Sequence, residues 1–191
     1  MKVVAFNGSP RKEGNTYQSL QVVMGELQKE GIETEMVQLG GKNIHGCIAC
    51  YKCFKNKDKE CSIKDDGVND YIKKMMEADG IIIGSPVYFS NVTSEVKAFI
   101  DRAGLVARAN DNLLKRKVGA GVVAVRRAGA TFAFSAINFF FFIQEMIVPG
   151  SIYWNLAIGR EPGDVQEDEE GMMTFKTLGQ NMSWLLKKIK A

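Results

Sequence analysis

The sequence predicts an α/β protein with one doubly wound, five-stranded parallel sheet. Five short apolar segments alternate with five segments in which apolar residues recur at helical spacing. Two of the short segments, 80–84 and 118–125, contain no charged residue, which is typical of central strands buried on both faces. Right-handed crossovers between parallel strands then place helices on both faces of the sheet. The expected strand order is 2-1-3-4-5, with ligands bound between the first and third strands.

The first three elements follow from apolar patterning. Residues 2–6 are enriched in β-branched and aromatic side chains, which predicts a buried strand. In residues 16–30, apolar side chains recur at i, i+3, i+4 and i+7, which predicts an amphipathic helix that ends at Gly31. Residues 34–39 alternate polar and apolar, so this strand should lie at an edge of the sheet.

The later elements continue the alternation. Asp65 and Asp66 favour the start of a helix, because carboxylates are stabilised at the positive end of the helix dipole. Asp101 and Arg102 are expected to be surface charges at a helix end. The other predicted elements are a strand at 80–84, a helix around 96–103, a strand at 118–125, an apolar helix through Phe142, a strand at 152–158 and a closing helix around 175–189.

Length and composition exclude several classes of function. The 191 residues fit a single domain, 1–191, with an irregular insertion at about 42–64. A net charge of +3, from 25 basic and 22 acidic residues, gives no reason to expect a nucleic-acid partner. No apolar run approaches the roughly 18 residues of a membrane span, and Met1-Lys2-Val3 leads into a strand rather than a signal peptide. We therefore expect a cytoplasmic protein without a membrane partner.

A polar loop between the first strand and the first helix has the character of a phosphate-binding loop. Gly8 and Gly14 bound this loop, and it is followed directly by a helix N-terminus, where free N–H groups attract anions. The candidate phosphate donors are Ser9, Arg11, Asn15 and Thr16. The spacing matches neither the G-x-x-x-x-G-K-[ST] pattern of NTPases nor the G-x-G-x-x-G dinucleotide pattern. A mononucleotide phosphate is the remaining candidate, and an ordinary βα turn is the alternative.

The loop after the third strand supplies groups for a ring. Tyr88 and Phe89 follow a rigid Pro86 at the carboxyl end of that strand. The polar loops after strands one, three and four converge at one edge of the predicted sheet. A ligand bound there would have a phosphate at one end and a flat heteroaromatic ring at the other, a description that FMN fits.

All four cysteines lie in the insertion, with the spacing C-x-x-C-x-x-C-x7-C. Cys47, Cys50, Cys53 and Cys61 would supply the four thiolates that a [4Fe–4S] cluster needs. Structural zinc fits the spacing less well, because it usually takes two separated pairs of ligands. Free thiols on a loop over the flavin are the third possibility.

Four segments together resemble the flavodoxin-like family of NAD(P)H-dependent FMN reductases, and in particular its iron–sulfur flavoprotein branch. These segments are residues 7–16, 46–53 with Cys61, 78–89 and 97–102. The resemblance implies that the four candidate donors hold the FMN phosphate. It further implies contacts with the flavin ring or a nicotinamide site by two other sets of residues. They are Pro86, Val87, Tyr88, Phe89 and Asn91 after the third strand, and Arg127, Gly129 and Thr131 after the fourth.

The expected function is that of a flavoprotein oxidoreductase. NAD(P)H would donate a hydride to the flavin, and the electrons would pass to a quinone, a free flavin or an iron–sulfur centre. The flavin carries the chemistry, so no catalytic side chain is assigned. The alternative is an electron carrier or redox-sensing module that does not use NAD(P)H. The apolar helix 132–142 and Tyr153-Trp154 predict a homodimer or homotetramer, because they supply more apolar surface than one small domain buries.

Overall fold

The computed structural model describes residues 1–190 and confirms the predicted sheet. Its five strands are all parallel and lie in the order β2-β1-β3-β4-β5. Their bounds are β1 Lys2–Asn7, β2 Glu33–Gln38, β3 Gly80–Pro86, β4 Val118–Val125 and β5 Leu156–Ile158. The polar patterning of β2 correctly placed it at an edge, and the uncharged β3 and β4 are buried along almost their whole length.

Helices cover both faces of the sheet. Successive residues of β1 point to opposite faces: Val3 and Ala5 face α1 and α6, whereas Val4 and Phe6 face the side of α3, α4 and α5. The helices are α1 Asn15–Lys29, α2 Lys52–Asn56, α3 Val68–Glu77, α4 Ser94–Ala109, α5 Ala130–Ile143 and α6 Glu169–Lys190, with a 3₁₀ turn at Asp164–Glu167. None of the helices in residues 1–190 is long and apolar enough to cross a membrane.

The last strand is shorter than the pattern predicts. We expected a strand over 152–158, but only Leu156–Ile158 pairs with β4. The amino-terminal end of β4 pairs instead with Ile147, through a bridge to Val118 and a 2.9 Å hydrogen bond from the Gly119 N–H. Ile147 therefore occupies the edge of β4 at which residues 152–155 would otherwise pair.

The α5 helix divides its aromatic side chains between the core and the surface. Phe140 and Phe141 are buried, whereas Phe139 and Phe142 are 68% and 57% exposed. Tyr153 and Trp154 are also about half exposed. This distribution leaves a large apolar surface on α5 and the segment after it, and the predicted homo-oligomer remains a prediction.

The sequence prediction for Arg102 was wrong. Arg102 lies inside α4 and is 1% exposed, not at a helix end on the surface. Its partner Asp66 precedes α3 by two residues and accepts from the Val68 N–H at 3.4 Å, as a residue that favours the helix start should, while its other carboxylate oxygen binds the Arg102 guanidinium. This ion pair ties the insertion to α4.

Candidate functional site

The predicted phosphate loop, residues 8–14, is held in place by side chains of the two strands behind it. The Asn7 amide donates to the Lys12 carbonyl at 3.1 Å and to the Gln38 side chain at 2.9 Å. Gln38 in turn donates to the Ser9 carbonyl at 2.7 Å. The Ser9 N–H donates to Asn7 at 3.1 Å. Because these bonds are made behind the loop, its front is left for a ligand.

Two glycines allow the loop to approach its neighbours closely. A Cβ atom on Gly8 would lie 2.2 Å from Val96 Cγ2 and 2.7 Å from the Gly84 carbonyl oxygen. On Gly40, at the end of β2, a Cβ would lie 2.3 Å from the carbonyl carbon of Ser9. Real Cβ atoms do not approach other atoms this closely. Both positions therefore require glycine, because any side chain would clash with its neighbours.

The first turn of α1 presents unused donors at the mouth of this loop. The helix has no side-chain cap and no acidic residue in its first turn. The first N–H groups of any helix have no intrahelical partner, and here no capping side chain accepts from them either. The Thr16 hydroxyl is also unpaired, although Thr16 is 1% exposed. A buried hydroxyl without a partner costs about 1–3 kcal/mol, so this hydroxyl is a candidate donor to a polar ligand.

A cavity of about 190 Å³ lies in front of these donors. Seven of the predicted cofactor residues line it: Ser9, Arg11, Asn15, Thr16, Pro86, Val87 and Tyr88. The structure thus brings the phosphate loop and the loop after β3 to one place, as the strand order requires. Phe89 and Asn91 lie outside this cavity.

The turn after β3 explains the position of Phe89. Tyr88 and Asn91 exchange two backbone hydrogen bonds, of 2.8 and 3.0 Å. Phe89 and Ser90 between them have φ values of 46° and 58°, the left-handed conformation of a tight hairpin turn. The Phe89 side chain is fully exposed at the tip of the turn, while Tyr88 stays on the cavity wall.

A fourth loop, which follows β5, also reaches the cavity and was missed by sequence reasoning. Gly159 and Arg160 line the cavity together with Arg126 after β4. The Asn15 side chain joins this loop to α1, because it donates to the Glu161 carbonyl at 2.9 Å and accepts from the Gly163 N–H at 2.8 Å. Asn15 therefore helps to position the loop in addition to lining the cavity.

The charge around the cavity is positive. Arg11, Arg126 and Arg160 line it, and within residues 1–190 no acidic side chain does. Arg160 also forms an exposed ion pair with Glu161 at 3.3 Å. Three guanidinium groups near an uncapped helix N-terminus favour a doubly charged phosphate.

The three predicted contacts that follow β4 lie in a neighbouring cavity of about 460 Å³, which Phe89 and Asn91 do not line. Arg127, Gly129 and Thr131 line it together with Tyr153 and Trp154, whose ring centroids are 4.8 Å apart. Gly129 has a φ of 87°, and a Cβ on it would lie 2.7 Å from Ser90 Oγ. The loop after β4 therefore packs against the turn after β3. The two cavities adjoin at the ends of β4 and β5, because Val125 and Ile158 line the larger one and the next residues, Arg126 and Gly159, line the smaller one.

The four cysteines lie around one small cavity between the insertion and α4. Cys47, Cys50, Cys53 and Cys61 line it with the apolar side chains of Ile48, Leu105 and Val106 and with Arg102. Ala49 and Tyr51 have φ values of 50° and 54°, and these left-handed residues turn the chain between successive cysteines. Non-glycine residues in this conformation are concentrated at ligand sites. Within residues 1–190, no three histidine, cysteine or carboxylate side chains are placed to hold a single metal ion.

The cysteines differ in their surroundings. Cys50 is exposed, and a 3.2 Å contact with the Ser62 hydroxyl and the nearby Lys52 N–H lower the pKa of its thiol. Cys53 is buried, and burial raises the pKa of its thiol more than the Phe54 N–H lowers it. Cys61 is half-buried and fixed by its backbone, because its N–H donates to Asn69 Oδ1 at 2.7 Å.

Arg102 connects this cavity to the core. Burial disfavours its charge, but hydrogen bonds to Asp66 and to Cys61 hold the Arg102 pKa above its ordinary value. Burial also disfavours the Asp66 carboxylate, yet Arg102 and the His45 N–H keep the Asp66 pKa below its ordinary value. Both groups are therefore charged at neutral pH in a buried site.

Known proteins share both the sequence and the architecture. The family model described as NADPH-dependent FMN reductase matches residues 1–161. An iron–sulfur flavoprotein of Methanocaldococcus jannaschii is 39% identical over 198 residues, which cover all of both chains. Two solved structures align at low identity: an NAD(P)H:quinone oxidoreductase from Methanothermobacter marburgensis (TM-score 0.67, 14% identity, 95% of this chain and 96% of that one) and an archaeal flavodoxin (TM-score 0.63, 15% identity, 98% and 99%). These two show that the fold is flavodoxin-like.

Proposed function

Because the chain belongs to the NADPH-dependent FMN reductase family, we propose that it binds FMN in the 190 Å³ cavity and transfers electrons from NAD(P)H to a second acceptor. The observation that carries this proposal is the unpaired, buried Thr16 hydroxyl at the uncapped N-terminus of α1. A phosphate there would satisfy this hydroxyl and the free N–H groups of the first turn together.

Each part of the cavity then has a role toward the cofactor. Ser9, Thr16 and the first turn of α1 hold the phosphate, and Arg11 adds positive charge at its exposed side. Pro86, Val87 and Tyr88 border the ring. FMN, when bound, supplies the redox chemistry, since it accepts a hydride and releases electrons singly or in pairs. The protein has only to hold the ring and leave one face accessible.

The adjoining 460 Å³ cavity is the proposed site of the electron donor or acceptor. It is open to solvent beside Tyr153 and Trp154, and these half-exposed aromatic rings are suited to stacking on a flat heteroaromatic group. Its wall carries one positive charge, on Arg127, and two carboxylates, on Asp168 and Glu170. The nicotinamide of NAD(P)H would fit this description as the electron donor. A quinone or a free flavin would fit it as the electron acceptor, and we propose an acceptor of this class.

Rapid mixing of the oxidised holoprotein with NADH and with NADPH tests the function. We expect at least one of them to bleach the flavin absorbance much faster than it bleaches free FMN in the same buffer. The matched variant is Arg127→Gln, which should slow this reduction without loss of FMN, because Arg127 lines only the adjoining cavity. If both nucleotides leave the flavin oxidised, the protein is an electron carrier instead.

We further propose that the four cysteines hold a [4Fe–4S] cluster. Four thiols around one cavity form the donor set of such a cluster, and the other lining side chains include no competing carboxylate or histidine within residues 1–190. The present cavity is only about 20 Å³, but Cys47 and Cys50 lie on an exposed segment with room to move outward. When bound, the cluster would accept single electrons.

Iron and acid-labile sulfide, assayed in protein prepared without oxygen, test the cluster. Wild type should contain both, and Cys50→Ala should lose both while it keeps FMN. Ser62→Ala is the matched control, because Ser62 contacts Cys50 at 3.2 Å but is not a thiol ligand, and it should keep its iron. Full FMN with almost no iron in the wild type would leave a flavin reductase with free thiols.

The exposed aromatic side chains of α5 and of residues 153–154 support the proposal of a homodimer or homotetramer. Phe132, Phe139 and Phe142 are each more than half exposed on one helix. A second copy that covered them would also shield the adjoining 460 Å³ cavity, which Trp154 borders. Light scattering at micromolar concentration should therefore show more than a monomer.

A further inference from the structure

Arg102 is the largest fully buried side chain within residues 1–190, and its guanidinium faces the cysteine cavity. Its Nε–H donates to Cys61 Sγ at 3.3 Å. Its other nitrogens donate to the His45 carbonyl at 3.1 Å, the Ile63 carbonyl at 2.9 Å and the Asp66 carboxylate. These partners are 36 to 57 residues away in sequence and belong to both ends of the cysteine insertion.

Packing the insertion against α4 would not by itself require a buried guanidinium. Burying a charge is costly, and an apolar side chain of similar size often stabilises a protein as well or better. An apolar residue could donate neither to the two carbonyls nor to the sulfur of Cys61, and of these contacts only the one with the sulfur acts directly on a candidate cluster ligand. A guanidinium donates in a fixed planar fork, so the carbonyls and the carboxylate fix the direction of the Nε–H toward that sulfur.

We propose that Arg102 is a positioning residue of the cysteine site that stabilises negative charge on Cys61 and thereby raises the reduction potential of the bound cluster. This inference rests on the cluster of the proposed function. Reduction adds one electron, and hence one negative charge, to a cluster whose thiolate ligands are already anionic. A buried positive charge in contact with one ligand favours the reduced state, because hydrogen bonds to the sulfurs and local charge set the potential.

The partner Asp66 does not cancel this effect. Its carboxylate is bound to Arg102 and to the His45 N–H, and it does not line the cysteine cavity. The positive member of the pair is therefore the one next to the sulfur. This placement predicts that removal of both charges still lowers the potential.

Redox titration of the anaerobically prepared holoprotein, followed by the EPR signal of the reduced cluster, tests the inference. Arg102→Gln should lower the equilibrium constant for one-electron reduction at least tenfold, which is about 59 mV. The double variant Asp66→Asn/Arg102→Gln leaves no unpaired buried charge and should shift in the same direction. If Arg102→Gln does not load with iron, Arg102→Lys is measured instead. Lysine keeps the positive charge but not the planar guanidinium, so the reduction potential should decrease by less.

Lys97→Gln is the matched control. It removes a positive charge from the same helix, but Lys97 is exposed, pairs with Asp101 and does not line the cavity, so the potential should not change. Variants that carry wild-type iron and have the wild-type potential would overturn the inference and leave the cluster in place. A wild type with FMN but no iron would overturn the cluster, and the inference with it, while FMN binding stands.

Discussion

Replacing Gly40 with alanine should reduce FMN affinity by about 100-fold or more, the loss expected when two or more hydrogen bonds to a charged group fail together. The new methyl group would lie 2.3 Å from the Ser9 carbonyl carbon and 2.5 Å from the Gly8 carbonyl oxygen. Both are backbone atoms, so relief requires the phosphate loop itself to move. Titration of apoprotein with FMN, followed by quenching of flavin fluorescence, measures the change.

Gly25→Ala is the control for this substitution. Gly25 lies in the middle of α1, and a Cβ there would meet nothing within 4 Å. Alanine should stabilise this helix by about 0.5–1 kcal/mol and leave FMN affinity unchanged. Equal affinities of the Gly40→Ala protein and the wild type would show that FMN does not depend on this loop.

Thr16→Val should change FMN affinity and apoprotein stability in opposite directions. The hydroxyl is buried and unpaired, so its removal should raise the free energy of unfolding of the apoprotein by about 1 kcal/mol. The same hydroxyl is the proposed donor to the phosphate, and a hydrogen bond to a charged acceptor is worth about 1.5–3 kcal/mol. FMN affinity should therefore fall about 10- to 150-fold.

Urea unfolding of the apoprotein and FMN titration measure the two effects of Thr16→Val. Thr177→Val, on α6, is the control, because Thr177 lines neither of the two adjoining cavities and should leave FMN affinity unchanged. A Thr16→Val protein that binds FMN as tightly as the wild type would place the phosphate elsewhere. Loss of both stability and affinity would indicate a packing role for this side chain.

Sequence reasoning predicted the parts of the candidate site that depend on local structure. The spacing of Gly8 and Gly14 before a helix predicted the phosphate loop, since a helix N-terminus is an anion site wherever it is uncapped. The uncharged strands β3 and β4 predicted the sheet centre and hence the edge where loops meet. The parallel order 2-1-3-4-5 was predictable from the same assignment of central strands, together with the polar pattern of the edge strand β2.

The parts that depend on distant contacts were not predictable. Gln38 on β2 donates a hydrogen bond to the Ser9 carbonyl and so holds the loop in place. In the sequence it looks like any polar residue at the end of an edge strand. The loop after β5 reaches the cavity because Asn15 binds residues near position 161, nearly 150 positions away. Arg102 resembles any helix-surface charge, because its burial depends on where the cysteine insertion folds.

Titration of the apoprotein with FMN and with riboflavin tests the central claim most directly. The two ligands share the ring, but only FMN carries the phosphate that the Ser9–Thr16 region is proposed to hold. We expect one FMN per chain. The affinity for riboflavin should be lower by a factor of about 100 or more, because several charge-assisted hydrogen bonds are lost together. Failure to take up FMN, or equal affinity for both ligands, would contradict the account.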